Sequence, residues 1–303
     1  MNGLFSDKSH LTNYLHLHLL VFIAGFTAIL GELITITAIP LVWYRMVIAF
    51  VLMFTYIKLA KVRLRISAKS ILRLSLAGIL VALHWITFFG SIDEANISIA
   101  LTMFSTGAFF ASFIEPLIYK RRVIWYEILF GLIIIGGVFV ITQSEFRYIN
   151  GIILGICSAF LSSLFAVLNG SFLKQHTATV ISFYEFLSGV AFISIFLLFS
   201  NKGFSKDFFS VSSLDLFYLF ILASICTAYA FIASVYVMKQ ISPYTVVLTY
   251  NLEPVYGIIL ALILFPDKEK MSPNFYYGAS IILSVVLLNG ILKNRRNSKR
   301  KVA

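Results

Sequence analysis

Charged residues are scarce in this chain. Asp, Glu, Lys and Arg make up 12% of the 303 residues, whereas 60% are hydrophobic and the mean hydropathy is +0.94. Ordinary soluble domains carry about 25% charged residues. The composition therefore excludes a water-soluble globular protein and indicates an integral membrane protein.

Cysteine and catalytic motifs are also nearly absent. The two cysteines, Cys157 and Cys226, lie far apart in apolar stretches and lack the spacing of a metal or redox site. The sequence has no nucleotide-binding loop and no Ser/His/Asp arrangement, which argues against ATP-driven transport. We therefore expect no cofactor, no metal and no catalytic residue, and a first apolar segment that is retained as a membrane span because no cleavage site follows it.

What the chain does contain is a series of apolar segments of similar length. A helix needs roughly 20 apolar residues to cross a bilayer and must satisfy its own backbone hydrogen bonds there. The sequence predicts an all-α integral membrane protein with ten transmembrane helices. These cover residues 14–37, 41–60, 72–92, 95–118, 124–143, 149–171, 179–200, 214–238, 241–265 and 272–292.

The positive charges indicate the orientation of these helices. Lys and Arg cluster between alternate spans, at 58–73 and 120–122, and again in a basic tail at 293–303. Because positively charged loops stay in the cytoplasm, we expect a multi-pass protein of the cell (inner) membrane with both termini cytoplasmic. The tail sequence KNRRNSKRK is typical of anchoring at a membrane surface, so we expect the lipid bilayer, and no nucleic acid, as its partner.

The chain also repeats itself. A shift of 147 residues places Thr102 on Thr249 and Gly131 on Gly278. This predicts two repeats of five helices, at 14–143 and 149–292. Because five is an odd number, the second repeat must be inverted relative to the first, an arrangement that places a binding site at the repeat interface near the midplane.

A family resemblance rests on the second repeat. The segments LTYNLEPVYGIILALILF and DKEKMSPNFYYGASIILSVVLL contain a Leu-x-Pro element ending at Pro254, a turn glutamate at Glu269 and a later glycine at Gly278. These features resemble the EamA-like branch of the drug/metabolite transporter superfamily. The first repeat differs, with Gly107 and Arg122 in place of the proline and the turn glutamate. The resemblance covers about 14–292 and implies a ten-helix permease, but it does not specify a substrate.

Glu253 is the most deeply placed carboxylate of the predicted spans. It lies about 18 Å along its helix, and the following Pro254 predicts a kink that frees the carbonyl of Tyr250. An ionisable group within the bilayer is a functional candidate by default, so Glu253 is expected to bind substrate or a proton. The alternative is a structural glutamate that hydrogen-bonds to neighbouring polar groups.

Arg45 is the one cation embedded within a predicted span, away from its ends, and Glu32 lies on the other side of the short turn around Pro40. A neutralising pair of Glu32 with Arg45 is one interpretation. The other is that Arg45 binds a substrate carboxylate, for which the planar guanidinium is well suited. A shift of 140 residues places Glu185 on Arg45, so the two repeats differ in charge at this position.

Further polar candidates lie on the third, fourth and ninth spans. His84, beside Trp85, suits either a proton relay or a structural histidine, and Glu115 is expected to be neutralised by the adjacent basic residues 120–122. Polar residues on a span must face a cavity or another helix, so the repeat-related fourth and ninth spans are expected to line the central path. Their candidates are Thr102, Ser105, Thr106, Thr249, Tyr250 and Asn251.

Together these features predict a secondary transporter of a small polar metabolite. The family resemblance implies an amino acid or a related compound, moved outward, as the favoured class, and Glu253 is the candidate residue for proton coupling. A homodimer is a further expectation. The alternative is a membrane-embedded enzyme or flippase acting on a lipid, in which His84 would act with Asp93 or Glu94 at the outer surface.

Overall fold

The computed structural model describes residues 2–120, 122, 124–200, 203–230, 233, 237, 249–250 and 252–302, which form helices and loops without a β-strand. We number the α-helices in chain order. They are α1 (Asn2–Leu33), α2 (Ala38–Leu59), α3 (Ala68–Glu94), α4 (Ile97–Phe104), α5 (Gly107–Tyr119), α6 (Trp125–Ser144), α7 (Ile149–Phe172), α8 (Ala178–Phe199), α9 (Ser213–Ala223), α10 (Glu253–Leu264) and α11 (Pro273–Val302), with a π-helix at Ser224–Tyr229 after α9.

The helices have the length and surface of membrane spans. Seven helical segments of the described chain are long and apolar enough to cross a bilayer, the fourth being α4 and α5 taken together, and Ser213–Tyr229 and Glu253–Leu264 are shorter apolar helices. Large apolar side chains such as Leu117 and Phe199 are almost fully exposed on the outside of the bundle. An apolar surface of this extent fits lipid and not water, so the prediction of an all-helical membrane protein is confirmed.

The predicted boundaries agree with the structure in part. The predicted spans 214–238 and 241–265 extend into residues outside the described chain, so the structure gives only Ser213–Tyr229 and Glu253–Leu264 of them. The helix α1 begins well before residue 14. The residues predicted to form a separate tail from 293 continue the helix α11 as far as Val302.

Helices from the two predicted repeats are interleaved. The helix α3 packs against α7 and α8, α2 packs against α8, α6 packs against α11, and α10 packs against both α1 and α4. Each of these pairs joins one helix of residues 14–143 to one of residues 149–292. The largest group of buried apolar residues likewise draws on both repeats. The repeats therefore form one shared core, and the interface between them is the interior of the protein.

Glycine pairs allow two of these helix pairs to approach closely. A Cβ atom on Gly25 of α1 would lie 3.0 Å from the backbone nitrogen of Gly257 on α10. A Cβ atom on Gly278 of α11 would lie 2.9 Å from the carbonyl oxygen of Gly137 on α6. Small residues at such contacts let helix backbones touch. In a bilayer this close packing stabilises helix association, because lipid is as apolar as the side chains and the hydrophobic effect does not drive helices together.

At one end of the bundle, Glu269 joins the repeats by capping a helix. Its two carboxylate oxygens accept the backbone N–H groups of Ile97, at 3.0 Å, and Ser98, at 2.8 Å, in the first turn of α4. These N–H groups have no partner within their own helix, and the positive helix terminus favours an anion there. Glu269 is fully buried, and burial raises its pKa above the ordinary value although the bonds from Ser98 and Ile97 favour the ionised form. The turn glutamate of the sequence motif therefore holds the second repeat against the first.

Two further carboxylates join the repeats at the same end. Glu145, after α6, accepts the backbone N–H of Ser272 at 2.9 Å, just before α11 begins. Asp215, in the first turn of α9, accepts the backbone N–H and the hydroxyl of Thr35, each at 2.8 Å. Glu145 and Asp215 are both buried. The loops that follow α1, α3, α6, α8 and α10 thus meet at this end, which we call the carboxylate end.

Hydroxyl groups join segments at the opposite end of the bundle. The Tyr184 hydroxyl of α8 donates to the carbonyl oxygen of Leu64, and the His176 ring lies within hydrogen-bond distance, 3.0 Å, of the Ser70 hydroxyl. The beginning of α8 therefore lies beside the end of α2, so these two helices are antiparallel. Because the basic loop at 58–73 lies here, we call this the basic end.

The alternation of the loops gives a test of orientation. In a variant with Cys157→Ala and Cys226→Ala, we expect Lys206→Cys, exposed at the carboxylate end, to react with a membrane-impermeant maleimide on intact cells. Lys69→Cys, exposed at the basic end, should react only after permeabilisation. The measurement is gel-shift labelling of each variant. Labelling of Lys69→Cys from outside would contradict a cytoplasmic basic end.

The cap formed by Glu269 gives a test of stability. We expect Glu269→Ala to lower the free energy of unfolding by about 2 kcal/mol, because two helix N–H groups lose a charged acceptor. The measurement is the apparent melting temperature of the purified protein in detergent. Glu94→Ala, an exposed carboxylate at the same end, is the matched control and should leave that temperature unchanged. Equal melting temperatures for both variants would show that the cap contributes nothing.

Candidate substrate site

Arg45 is buried in the shared core. It lies seven residues after α2 begins, about 10 Å inside the carboxylate end. Its Nε atom donates to the Thr227 hydroxyl at 2.8 Å, whereas its Nη1 atom has no hydrogen-bond partner in the described part of the chain. The side chain is only 3% exposed. Because buried donors normally have a hydrogen-bond acceptor, the unpaired N–H group of this buried guanidinium indicates that an acceptor is missing.

Aromatic rings of α3 enclose this guanidinium. Its Cζ atom lies 4.0 Å from the centroid of the Trp85 ring and 5.6 Å from that of Phe89. A cation over an aromatic face is stabilised by the ring quadrupole, more strongly away from water. The rings hold the guanidinium plane in one orientation and leave its edge for hydrogen bonding. Trp85, a sequence candidate, therefore lies against Arg45.

The π-helix at Ser224–Tyr229 supplies the remaining partner of Arg45, and sequence reasoning missed it. The Thr227 hydroxyl accepts from Arg45 and donates to the carbonyl oxygen of Leu222, five residues earlier, at 2.8 Å. Single π-turns within α-helices occur often at functional sites. No proline or glycine marks this turn in the sequence, and the one available signal was a threonine within a strongly apolar segment.

Glu253 lies at the first residue of α10, with Leu252 in the turn before it. Pro254 occupies the first turn of that helix, where its missing N–H is not needed. The Glu253 carboxylate and the Arg45 guanidinium are close enough for their charges to interact, although no ion pair within 4 Å joins them in the described chain. The two sequence candidates are thus brought to the same site.

The ninth predicted span is interrupted where Glu253 lies. Thr249 and Tyr250 are helical, Asn251 lies outside the described residues, and α10 restarts at Glu253. The Leu252 backbone N–H donates to the Thr249 carbonyl, a tighter bond than an α-helix makes. Thr249 is buried, and Tyr250 packs against the apolar cluster around Leu17 and Val237.

The fourth predicted span is interrupted in the matching place. The helix α4 ends at Phe104 and α5 begins at Gly107, with Ser105 and Thr106 in the turn between them. A shift of 147 residues carries Ser105, in the first break, onto Leu252, in the second, so the breaks of the two repeats overlap.

The candidate polar residues at the first of these breaks are buried. The Ser105 and Thr106 hydroxyls each donate to a backbone carbonyl three residues earlier, at 2.6 Å. The Thr102 hydroxyl has no hydrogen-bond partner in the described chain. Thr102 is fully buried, and α4 packs against α10, so the two interrupted helices lie side by side.

His84 lies between α3 and α7. Its Nδ1 atom is within hydrogen-bond distance of the Ser158 carbonyl oxygen, at 3.1 Å, and the Ser158 hydroxyl, at 2.9 Å. The ring stacks on Phe104 at a centroid distance of 5.5 Å. These contacts describe a histidine held between two packed helices, one residue before Trp85 but on a different face of α3.

The ion pair of Glu32 with Arg45 that the sequence favoured is not formed. Glu32 lies in the last turn of α1, and its Oε1 atom is 2.6 Å from Nζ of Lys268 in the α10–α11 loop. The hydrogen bond with Glu32 raises the pKa of Lys268, so this lysine stays charged at neutral pH. The reason is position, because Glu32 is at the rim of the bundle and Arg45 is about 10 Å inside it.

A polar cavity of about 470 Å³ opens at the carboxylate end. It is lined by Glu32, Asp93, Asn96, Tyr148 and Lys268, among others. Asp93 accepts the backbone N–H of Ala38 at 3.0 Å and so caps α2. Among the residues that the structure describes, no group of three His, Cys, Asp or Glu side chains is placed to hold a metal ion.

Comparison with known proteins identifies the family. None of the curated proteins matches the chain. A solved protein crystal structure shares the fold with a TM-score of 0.63 at 14% sequence identity, over 93% of this chain and 98% of the other. Residues 12–143 and 149–291 each match the EamA-like transporter family, in agreement with the two predicted repeats. The chain therefore belongs to the EamA-like transporter family, a family of transporters and not of enzymes, and to the drug/metabolite transporter superfamily.

Proposed function

We propose that this protein is a secondary transporter of ten helices in two inverted repeats of five, which moves a small polar metabolite across the cell membrane. The alternation of loops between the two ends supports the inversion. So do the interruptions of the fourth and ninth spans at equivalent positions. In transporters built from inverted repeats, interrupted helices surround the substrate near the midplane.

The observation that carries the substrate assignment is the unpaired donor of Arg45. A buried guanidinium with a free Nη1 atom, fixed between Thr227 and Trp85, lacks one hydrogen-bond acceptor. A substrate carboxylate supplies that acceptor and forms a charge-assisted bond. We therefore propose a carboxylate-bearing metabolite, with an amino acid or a related compound as the favoured class and outward transport as the direction.

Glu253 is proposed to couple this binding to protons. Its charge interacts with that of Arg45, so a substrate carboxylate that binds Arg45 competes for the same cation. Protonation of Glu253 removes that competition and turns one carboxyl oxygen into a donor. Because α10 restarts at this residue, the two protonation states act on an interrupted helix, which is more easily moved than a continuous one.

The structure gives less support to a lipid-directed enzyme or flippase. Such a site would require His84 together with Asp93 or Glu94. His84 is instead held by Ser158, and Asp93 caps α2 nine residues farther along α3, about 13 Å away. A homodimer stays a prediction.

The role of Arg45 has a direct test. Strains that overproduce the wild type are expected to release carboxylate-bearing metabolites that strains producing Arg45→Lys do not, measured by untargeted metabolite comparison of the medium and the cells. With a metabolite so identified, Arg45→Lys should raise its half-saturating concentration at least about tenfold, because lysine lacks the planar fork. Arg147→Lys, an exposed arginine, is the matched control. Unchanged affinity in Arg45→Lys would remove Arg45 from the substrate site.

The role of Glu253 is tested in reconstituted vesicles. Glu253→Gln keeps the size of the side chain and fixes it as neutral, so we expect exchange of substrate to persist and accumulation driven by a pH gradient to be lost. Uptake with and without the gradient is the measurement, and Glu94→Gln is the control. Wild-type pH dependence in Glu253→Gln would show that Glu253 is structural.

A further inference from the structure

A second carboxylate lies buried in the shared core, away from the Arg45 site. Glu185 is 1% exposed and lies seven residues after α8 begins at Ala178. Its Oε1 atom has no hydrogen-bond partner in the described part of the chain, and no cation of that part lies within 4 Å of its carboxylate. An ionised carboxylate is strongly disfavoured in such surroundings, because burial removes its hydration without a compensating partner.

A polar neighbour of Glu185 has the same deficit. The side-chain amide of Asn169 on α7 lies close enough to the Glu185 carboxylate to interact with it. The Oδ1 atom of Asn169 also has no partner in the described chain. The cluster therefore contains two unsatisfied acceptors and lacks a donor. A single proton on Glu185 supplies a donor and removes the buried charge at the same time.

Among the described residues, no fixed positive charge is placed to neutralise Glu185 in place of a proton. The helices packed against α8 are α2 and α3, and α7 carries Asn169. None of their cations forms an ion pair with Glu185 in the described chain. Their titratable side chains are Tyr44, Arg45, Tyr56 and Lys58 on α2, Lys69, Arg73, His84, Asp93 and Glu94 on α3, and Cys157 on α7.

A metal cation also fits poorly. Hard cations prefer about six oxygen ligands, whereas the described side chains offer the Glu185 carboxylate and one amide oxygen.

Glu185 and Arg45 occupy matching positions on antiparallel helices. Each lies seven residues into its own helix, and α2 and α8 pack so that Met46 meets Gly189 and Phe54 meets Phe183. Glu185 is therefore level with residue 50 or 51 of α2. It lies about 8 Å nearer the basic end than Arg45 does.

We propose that Glu185 is a second proton-binding site, occupied by a proton when buried against Asn169 and located on the basic-end side of the substrate site. Its contribution to transport rests on the proposed transport function, whereas its protonation does not. A proton bound there would be released when the surroundings of Glu185 open to the cytoplasm, because water then solvates the carboxylate.

Infrared spectroscopy of the purified protein tests the protonation. At neutral pH we expect the wild type to show a C=O stretching band of a protonated carboxylic acid that Glu185→Gln lacks and Glu94→Gln retains. Asn169→Ala should shift this band, because the carboxyl group loses a polar neighbour; this second variant serves if Glu185→Gln does not fold. An unchanged spectrum in both Glu185→Gln and Asn169→Ala would overturn the proposal.

Vesicle assays with a metabolite released by the wild type test the transport role. We expect Glu185→Gln to reduce accumulation driven by a pH gradient at least about tenfold while substrate exchange persists. Gradient-driven accumulation equal to that of the wild type would show that Glu185 does not couple transport to protons. Absence of any transport by the wild type would overturn the proposed function and leave the infrared result on Glu185 to stand by itself.

Discussion

An ionised side chain cannot remain unpaired among apolar helices without a large cost in free energy, and this constraint orders the polar residues of the protein. At the carboxylate end each buried acid accepts a backbone N–H group from another segment, as Glu269 does from α4 and Glu145 does from the residue before α11. These acids satisfy helix ends that would otherwise lack partners. They also hold two repeats together that share one core.

The charged groups in the interior differ from these acids, because part of their hydrogen-bonding capacity is unused. Arg45 keeps one donor without an acceptor, and Glu185 keeps one acceptor without a donor. Around Arg45 the helices depart from regular geometry, with a π-turn at Thr227 and a restart of α10 at Glu253. A membrane protein tolerates irregular backbone only where protein or a wet cavity satisfies it. The interruptions therefore lie where neighbouring protein satisfies the backbone, at the proposed substrate site.

Much of the architecture follows from local patterns. The lengths of the apolar segments predicted helices, of which the described chain has seven long enough to span a membrane and two shorter ones. The shift of 147 residues predicted two repeats, and the family match covers both. The apolar pattern does not reveal that α4 ends at Phe104. Nor does it reveal the π-turn at Thr227, because the apolar segment continues through that residue. Such turns depend on which backbone carbonyl accepts a hydrogen bond from each N–H group. Packing against neighbouring helices determines that pairing, and the hydropathy of the sequence does not.

The sequence by itself determined that the protein is helical, membrane-embedded and duplicated, because hydropathy and residue spacing are properties of short segments. It also identified Glu253 and Arg45 as functional candidates, since charged residues are rare in apolar segments. Only the tertiary structure decided their partners. Glu32 forms an ion pair with Lys268. Arg45 donates a hydrogen bond to the π-turn and lies against an aromatic face. A long charged side chain has several residues within reach along the sequence, and the packing of helices from both repeats selects among them.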